Sequence, residues 1–505
     1  MLRRARDTLA YADDMVMLHH ARALTAADAL VLLTVKDGDG YRLDVKGKLG
    51  RAIEEALGRV QFDSGVDSVV TIPAPTWSDY RTVVVVGVDG TTSRISALRY
   101  AAGTAVRGLS GSAVIAFAPR TEAESTAVLE GALLAATRTI SRKSGEAPAA
   151  LTELTIVARH APVETRVVAK VAAVSFVRDV VTEAPNLLGP DDLAQRVAEA
   201  SRDAHLAVDV LDEKALAQGG FGGILGIGAG SARPPRLVTV RYAPNGATKH
   251  IALVGKGITF DTGGLSIKPA AGMVGMKYDM TGAATVFAVT RAIAALELPI
   301  RVTAWLCIAE NMPSGTAIRP NDVVTIRGGK TVEVTNTDAE GRVVLADGLV
   351  AASEELPDAI IDVATLTGAA RVALGDRIAG IMGDSTLTRR IADAAQVAGE
   401  EVWAMPLPAY LKPVLSSDIA DIANAKIGHS VAGMLIGGTF LREFVGADES
   451  GTPIPWAHLD IAGPANNGGA PYGVVPKGAT GTMVRTLIAT IEQLAASNRA
   501  LGKKE

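Results

Sequence analysis

A single cysteine, Cys307, in 505 residues leaves no partner for an intramolecular disulfide. A cross-linked secreted scaffold is thereby excluded, and a reducing compartment fits. Aromatic residues make up only 4% of the chain, so its cores must be packed mainly by Val, Ala, Leu and Ile, and the 48% hydrophobic content is enough to do so. No apolar run approaches the ~18 residues that a membrane helix requires, so no membrane span is expected. Basic charge is not in excess: 50 Lys and Arg face 54 Asp and Glu, a net charge of −4. That balance gives no broad basic field, and nucleic acid is not the expected partner. The N-terminal run Met1-Leu2-Arg3-Arg4-Ala5-Arg6 is basic, but Asp7, Asp13 and Asp14 interrupt what would be the apolar part of a signal peptide. A cytoplasmic location is expected.

Glycine is plentiful, at 52 residues, which suits many tight strand-to-helix turns. The length exceeds what one core usually holds, so two α/β domains are expected, the larger with a mixed, mainly parallel sheet. Residues 1–22 show no clear period and read as an extension. From there to 164, strand-like runs (Ala29 to Val35, Val66 to Ile72, Arg81 to Val86, Ala113 to Phe117) alternate with helix-like ones (Ser93 to Val106, Ala123 to Thr137). No His, Cys or carboxylate cluster assignable to chemistry lies in this smaller domain. Thr165 to Val181 reads as one helix, and the boundary of a larger domain, 165–505, is placed at its start. Cys307 falls in a strand-like run, Arg301 to Ala309, and reads as a core thiol.

Chemistry concentrates in two stretches of the larger domain. Asn336-Thr337-Asp338-Ala339-Glu340-Gly341-Arg342 follows an alternating run, Lys330 to Thr335, and precedes Leu345, Leu349, Ala352 and Leu356 at helical spacing. It is a strand-to-helix turn, the place where α/β sheets collect ligands. Acidic residues there could equally be solvated and favour the helix dipole. The second stretch runs from a buried strand, Ile251 to Gly255, into Lys256-Gly257-Ile258-Thr259-Phe260-Asp261-Thr262-Gly263-Gly264-Leu265-Ser266-Ile267-Lys268, then Met276-Lys277-Tyr278-Asp279 before an Ala-rich helix. Together they supply Asp261, Asp279, Asp338 and Glu340, which would repel one another unless gathered around divalent cations. Neither stretch holds a histidine, so a lysine amine, neutral when bound, is the nitrogen ligand to expect.

Other motifs read as structural. Gly219 to Gly230 lacks the following helix and the later acidic residue of a dinucleotide fingerprint, and reads as a site of close backbone packing. His429 and His458 read as structural histidines rather than as a base or ligand.

The two stretches resemble the motifs of the leucyl aminopeptidase family (cytosol aminopeptidases), in the family's order and at its spacing. Ala364-Thr365-Leu366-Thr367-Gly368-Ala369 and Trp456-Ala457-His458-Leu459-Asp460-Ile461-Ala462-Gly463 extend the likeness, which covers roughly residues 165 to 490. The resemblance implies an aminopeptidase with two zinc or manganese ions per chain. One ion would take Lys256, Asp261, Asp279 and Glu340. The other would take Asp261, Asp338 (carboxylate and backbone carbonyl) and Glu340. It further implies that Lys268 stabilises an oxyanion and that Arg342 holds a bicarbonate ion able to accept the proton of the attacking water. A pocket walled by Met276, Thr365, Gly368, Ala462 and Ala465 would favour Leu-like or Met-like first residues of peptide substrates. A homo-hexamer with the N-terminal domain in assembly is implied as well. The same site would serve a narrower dipeptidase of the cysteinyl-glycine type. Some members of the family also bind DNA, a role against which the balanced charge argues.

Overall fold

The computed structural model describes residues 16–497 except 38, 39, 44, 61, 118, 203, 205 and 430. The chain divides into two units, Met1–Ser175 with Asn467–Lys477, and Phe176–Asn466 with Gly478–Glu505.

The first unit is built on seven strands: β1 (Met17–Ala21), β2 (Ala29–Asp37), β3 (Gly40–Arg42), β4 (Val69–Pro73), β5 (Thr82–Val88), β6 (Gly111–Ala116) and β7 (Leu151–Val157). Their order is β1-β7-β6-β2-β5-β4, with β3 beside β2. The five strands from β1 to β5 along that path run parallel, while β4 is antiparallel to β5. Unbroken apolar runs such as Val83 to Val86 are buried on both faces, as central parallel strands require. Helices Arg94–Val106 and Glu122–Ala136 make the crossovers, and each starts on a hydroxyl that caps a backbone N–H: Ser93 caps Ser96 and Thr121 caps Glu124.

Two sequence expectations change in this unit. Of the supposed extension 1–22, residues 1–15 lie outside the described residues, but Met17–Ala21 is a strand paired in parallel with β7. Its order comes from that partner, since Met-Leu-His-His-Ala carries no period of its own. The boundary expected near 165 falls instead inside the helix Glu164–Thr182, and Asn467–Lys477, assigned by sequence to the larger domain, belongs with the first unit. There Arg107 donates to the carbonyl of Gly473, and Gly473 lies against the Tyr100 ring, where an added Cβ would sit 2.4 Å from a ring carbon.

The second unit holds an eight-stranded sheet, β16-β15-β18-β14-β10-β11-β9-β8. The strands are β8 (Ala207–Leu211), β9 (Arg236–Tyr242), β10 (His250–Asp261), β11 (Arg301–Asn311), β14 (Ala359–Ala364), β15 (Ile378–Gly383), β16 (Glu401–Ala404) and β18 (Trp456–Asp460). The central four, β18-β14-β10-β11, are parallel. A smaller sheet combines β12 (Asp322–Thr325), β13 (Thr331–Val334) and β17 (Ile422–Ala423), with β13 and β17 parallel. Val254, Cys307, Leu345, Leu349 and Phe440 share the main core, so the cysteine is a buried packing residue whose thiol burial pushes up.

The strand of the second stretch, expected to end at Gly255, continues as β10 to Asp261. The glycines mark close approach and not a turn. A Cβ on Gly255 would meet the Ala283 Cα at 2.6 Å, and one on Gly257 would meet the Cys307 carbonyl oxygen at 2.9 Å. Gly219 to Gly230 likewise folds as a short helix, Gly222–Gly228, in which a Cβ on Gly222 would lie 2.1 Å from the Thr325 oxygen. This is the close packing read from the sequence.

Candidate metal centre

The charged residues of the two stretches meet at the carboxyl ends of the central parallel strands. Lys256 lies within β10 and Asp261 ends it. Asp279 lies in the 3-10 turn Met276–Met280 that leads into the helix Thr281–Ala295. Asp338 and Glu340 occupy the turn between β13 and the helix Gly341–Glu354, whose first turn carries Arg342. The chain leaves β10 through Gly263 and Gly264 at φ +86° and +64°, a left-handed pair that an L side chain would strain. That turn lets the Gly263 N–H donate to Asp261 Oδ1 at 2.9 Å. Thr337 ties the two stretches together, donating to the Gly263 carbonyl at 2.6 Å and accepting from the Ser266 N–H at 2.8 Å.

Among the described residues, Asp261, Asp338 and Glu340 can each turn a carboxylate oxygen to within 4.8 Å of the others. Lys256 Nζ sits 2.8 Å from both Asp279 Oδ2 and Glu340 Oε1, and donates to the Thr365 carbonyl at 3.0 Å. Lys268 pairs with Asp261 Oδ2 at 2.8 Å and with Asp338 Oδ1. Gly341 makes room for the first lysine: a Cβ there would meet Lys256 Cε at 2.6 Å and Nζ at 2.7 Å.

Burial disfavours charge throughout this cluster. Burial, with Asp261 adding repulsion, pushes Glu340 up to about 8, and burial pushes Asp279 up to about 6 despite Lys256. Asp338 is raised for the same reasons. Burial works against the charge of Lys256, but Asp279, Glu340 and Asp261 outweigh it and hold the ammonium above its ordinary value. Lys268 is likewise held up, by Asp261 and Glu340 against desolvation.

These residues fit divalent cations. Glu340 Oε2 is buried with no hydrogen-bond partner among the described residues, a costly state for a carboxylate oxygen unless a cation meets it. Were all four carboxylates ionised, the two lysines that pair with them would leave negative charge for cations to meet. Arg342 is buried, gives one N–H to the Asn424 carbonyl at 2.8 Å, and keeps a buried Nε with no partner among the described residues. Burial lowers its pKa to about 10, so it remains protonated at neutral pH.

Thr365 donates to Asp279 Oδ1 at 2.7 Å, while Gly368, at the start of the helix Gly368–Leu374, has open space where a Cβ would be. Met276 and Ala462 are partly exposed, and Ala465 is fully buried. His458 Nδ1 meets Asp362 Oδ1 at 2.5 Å, as for a core histidine, though its Nε2 lacks a partner among the described residues. His429 Nε2 is also buried without one.

Three supporting residues, Asn311, Asp460 and Asn424, were given no role by the sequence. Asn311, ending β11, donates to Asp261 Oδ1 at 2.9 Å and to the Thr337 carbonyl at 3.1 Å. Asp460, ending β18, accepts from the Leu366 N–H at 3.2 Å and the Thr367 hydroxyl at 2.7 Å, holding the loop that presents Thr365. Asn424 binds the turn containing Asp338 and Glu340. The signal open to a sequence reader was weak: Asn311 and Asp460 each stand at the end of an apolar run, where ligand-side residues of such sheets occur.

Residues 175–488 match the cytosol aminopeptidase family, catalytic domain. The chain is 52% identical over 480 residues to a probable cytosol aminopeptidase of Leifsonia xyli subsp. xyli, covering 92% of this chain and 96% of that one. It is 50% identical over 499 residues to one of Micrococcus luteus, covering 94% and 97%. Among solved structures, the bottromycin maturation enzyme BotP in complex with Mn is similar at a TM-score of 0.81 and 36% identity, over 93% of this chain and 100% of that one. The cytosol aminopeptidase from Coxiella burnetii is similar at 0.79 and 27%, over 94% and 99%.

The raised carboxylates set a pH dependence. With folded values of about 8 for Glu340 and about 6 for Asp279, the cation-free folded state holds protons that the unfolded chain has already released. Its stability therefore falls as pH rises through this window, whereas a bound cation replaces those protons. The difference in Tm between protein with Mn²⁺ and protein with a chelator is expected to widen from pH 6 to pH 8. Thermal scans showing a difference that is constant or shrinks would exclude cation binding by these carboxylates.

Proposed function

The chain belongs to the cytosol aminopeptidase family and is a metal-dependent aminopeptidase, and from that premise we propose that it releases N-terminal residues, preferably Leu and other apolar ones, from peptides. The observation that carries this reading is the convergence of Lys256, Asp261, Asp279, Asp338 and Glu340 at one sheet edge, with Glu340 Oε2 buried and unpartnered. These five residues would hold two divalent ions, zinc or manganese. When bound, such ions would supply Lewis-acid polarisation of the scissile carbonyl, a water nucleophile at neutral pH and a site for a free amine.

The chain's own groups supply the rest. The Lys268 ammonium, part-exposed between Asp261 and Asp338, is a donor for the oxyanion that develops on the attacked carbonyl. Arg342 cannot act as a base while protonated. Its unpartnered Nε and planar fork suit a planar anion, and bicarbonate there would offer the basic oxygens that a guanidinium lacks. Met276, Thr365, Gly368 and Ala462 would wall the pocket for the first side chain, with the fully buried Ala465 behind that surface and not on it. Small and apolar walls leave a charged side chain without solvation. The functional assembly in this reading is a homo-hexamer, as the family resemblance implies; light scattering that gave the mass of one 505-residue chain at micromolar concentration would exclude it.

Two kinetic comparisons test the chemistry. Acetylation delocalises the lone pair of the α-amine into an amide, so leucine p-nitroanilide is expected to exceed N-acetyl-leucine p-nitroanilide in kcat/KM by at least about 10³. Equal turnover would rule out amine recognition. Lys268→Ala is expected to lower kcat by about 10²–10³, as loss of an oxyanion donor does, with both ions retained by elemental analysis. An emptied site in that variant would reassign Lys268 to ion binding.

A further inference from the structure

We propose that Asn424 is the positioning residue that sets Asp338, Glu340 and Arg342 relative to one another. The proposal rests on the metal-centre reading above and assigns this asparagine a part in it. Asn424 is fully buried and follows directly on β17, which pairs in parallel with β13, the strand that feeds the turn. Its own N–H continues that pairing by donating to the Glu333 carbonyl at 2.9 Å.

Both ends of the side-chain amide are used. Oδ1 accepts from the N–H groups of Thr335 and Asn336 at 2.9 and 3.2 Å. Nδ2 donates to the carbonyls of Asn336 and Ala339 at 2.7 and 3.2 Å. One amide thus grips the backbone immediately before Asp338 and the link between Asp338 and Glu340. Asn336 passes the restraint on, since its Oδ1 accepts from the Asp338 N–H at 2.9 Å. The main chain of Asn424 reaches the third group, its carbonyl taking the Arg342 guanidinium at 2.8 Å.

The residue type follows from these partners. The turn presents two donors on one side and two acceptors on the other, and a short primary amide answers both. Aspartate has the same shape but would set an oxygen against two carbonyls, and serine is too short to span the turn. The Asn424 amide binds the main chain of Thr335, Asn336 and Ala339 and not the ligand carboxylates, so it acts on the ions through the turn that carries Asp338 and Glu340. Partners that orient metal ligands in this way typically matter about 10–100-fold in affinity or activity.

The test uses the full chain, stripped of metal, with Mn²⁺ as the probe in isothermal titration, alongside leucine p-nitroanilide kinetics and thermal melts. Asn424→Asp is expected to weaken Mn²⁺ binding by about 10–100-fold and to lower kcat more than it changes KM. Asn424→Ser should weaken binding in the same direction, and it carries the test if the aspartate variant does not fold. Thr331→Val serves as the structural control. It removes two hydrogen bonds between Thr331 Oγ1 and Asp421, one given to its carboxylate at 2.8 Å and one accepted from its N–H at 3.0 Å, without reaching the turn, and should leave Mn²⁺ affinity unchanged. Wild-type affinity in both Asn424 variants, or equal weakening by Thr331→Val, would overturn the proposal. A wild-type chain that binds no Mn²⁺ would overturn the metal-centre reading and this proposal with it.

Discussion

Four carboxylates that repel one another, three of them buried and Asp338 part-exposed, are the constraint around which the catalytic unit is arranged. Asp261, Asp279 and Glu340 are almost wholly withdrawn from water, where an ionised carboxylate is stable only against a cation. Lys256 and Lys268 answer part of that need. Each lysine bridges two carboxylates, so removing either charge sign would leave the other exposed to its own kind. Stability and chemistry are coupled here: the charge deficit that weakens the cation-free fold is the same feature that draws divalent ions to this edge of the sheet.

Holding such a cluster together requires rigidity from elements that carry no charge. The central parallel strands deliver Asp261, Asn311, Thr365 and Asp460 to one edge because their carboxyl ends lie side by side. Glycine sets the spacing between layers. A Cβ on Gly282 would lie 2.1 Å from the Val363 oxygen, so the helix behind Asp279 can approach β14 only because that residue is glycine. Gly341 does the same for the Lys256 side chain. The uncharged amides of Asn311 and Asn424 then fix loops that hydrophobic packing alone would leave free to shift.

The likeness to relatives at about half identity over nearly the full chain accounts for the class of reaction, while the geometry explains how this chain carries it. The Gly-rich run that might suggest a nucleotide has a packing role: its short helix is stapled by Asp347, which accepts from the Ile224 N–H at 2.8 Å.

Local sequence determined much of this protein. Alternation and helical spacing identified β2, β4, β5, β6 and the helices Arg94–Val106 and Glu122–Ala136 of the first unit, though not β3, β7 or the helix Gly47–Arg59, and the charged stretches identified Lys256, Asp261, Asp279, Asp338, Glu340 and Arg342 as a group, because both signals lie within a few residues of one another. Tertiary structure decided what depends on distant partners. Asn424 contacts Arg342 across 82 positions and Asp460 contacts Leu366 across 94, and neither residue differs in its neighbourhood from an ordinary loop or strand end. The length of β10, the strand at Met17–Ala21 and the grouping of Asn467–Lys477 with the first unit were hidden for the same reason. A glycine signals turn or close approach alike until its neighbour is in place, and an edge strand without a period acquires its order only from the strand beside it.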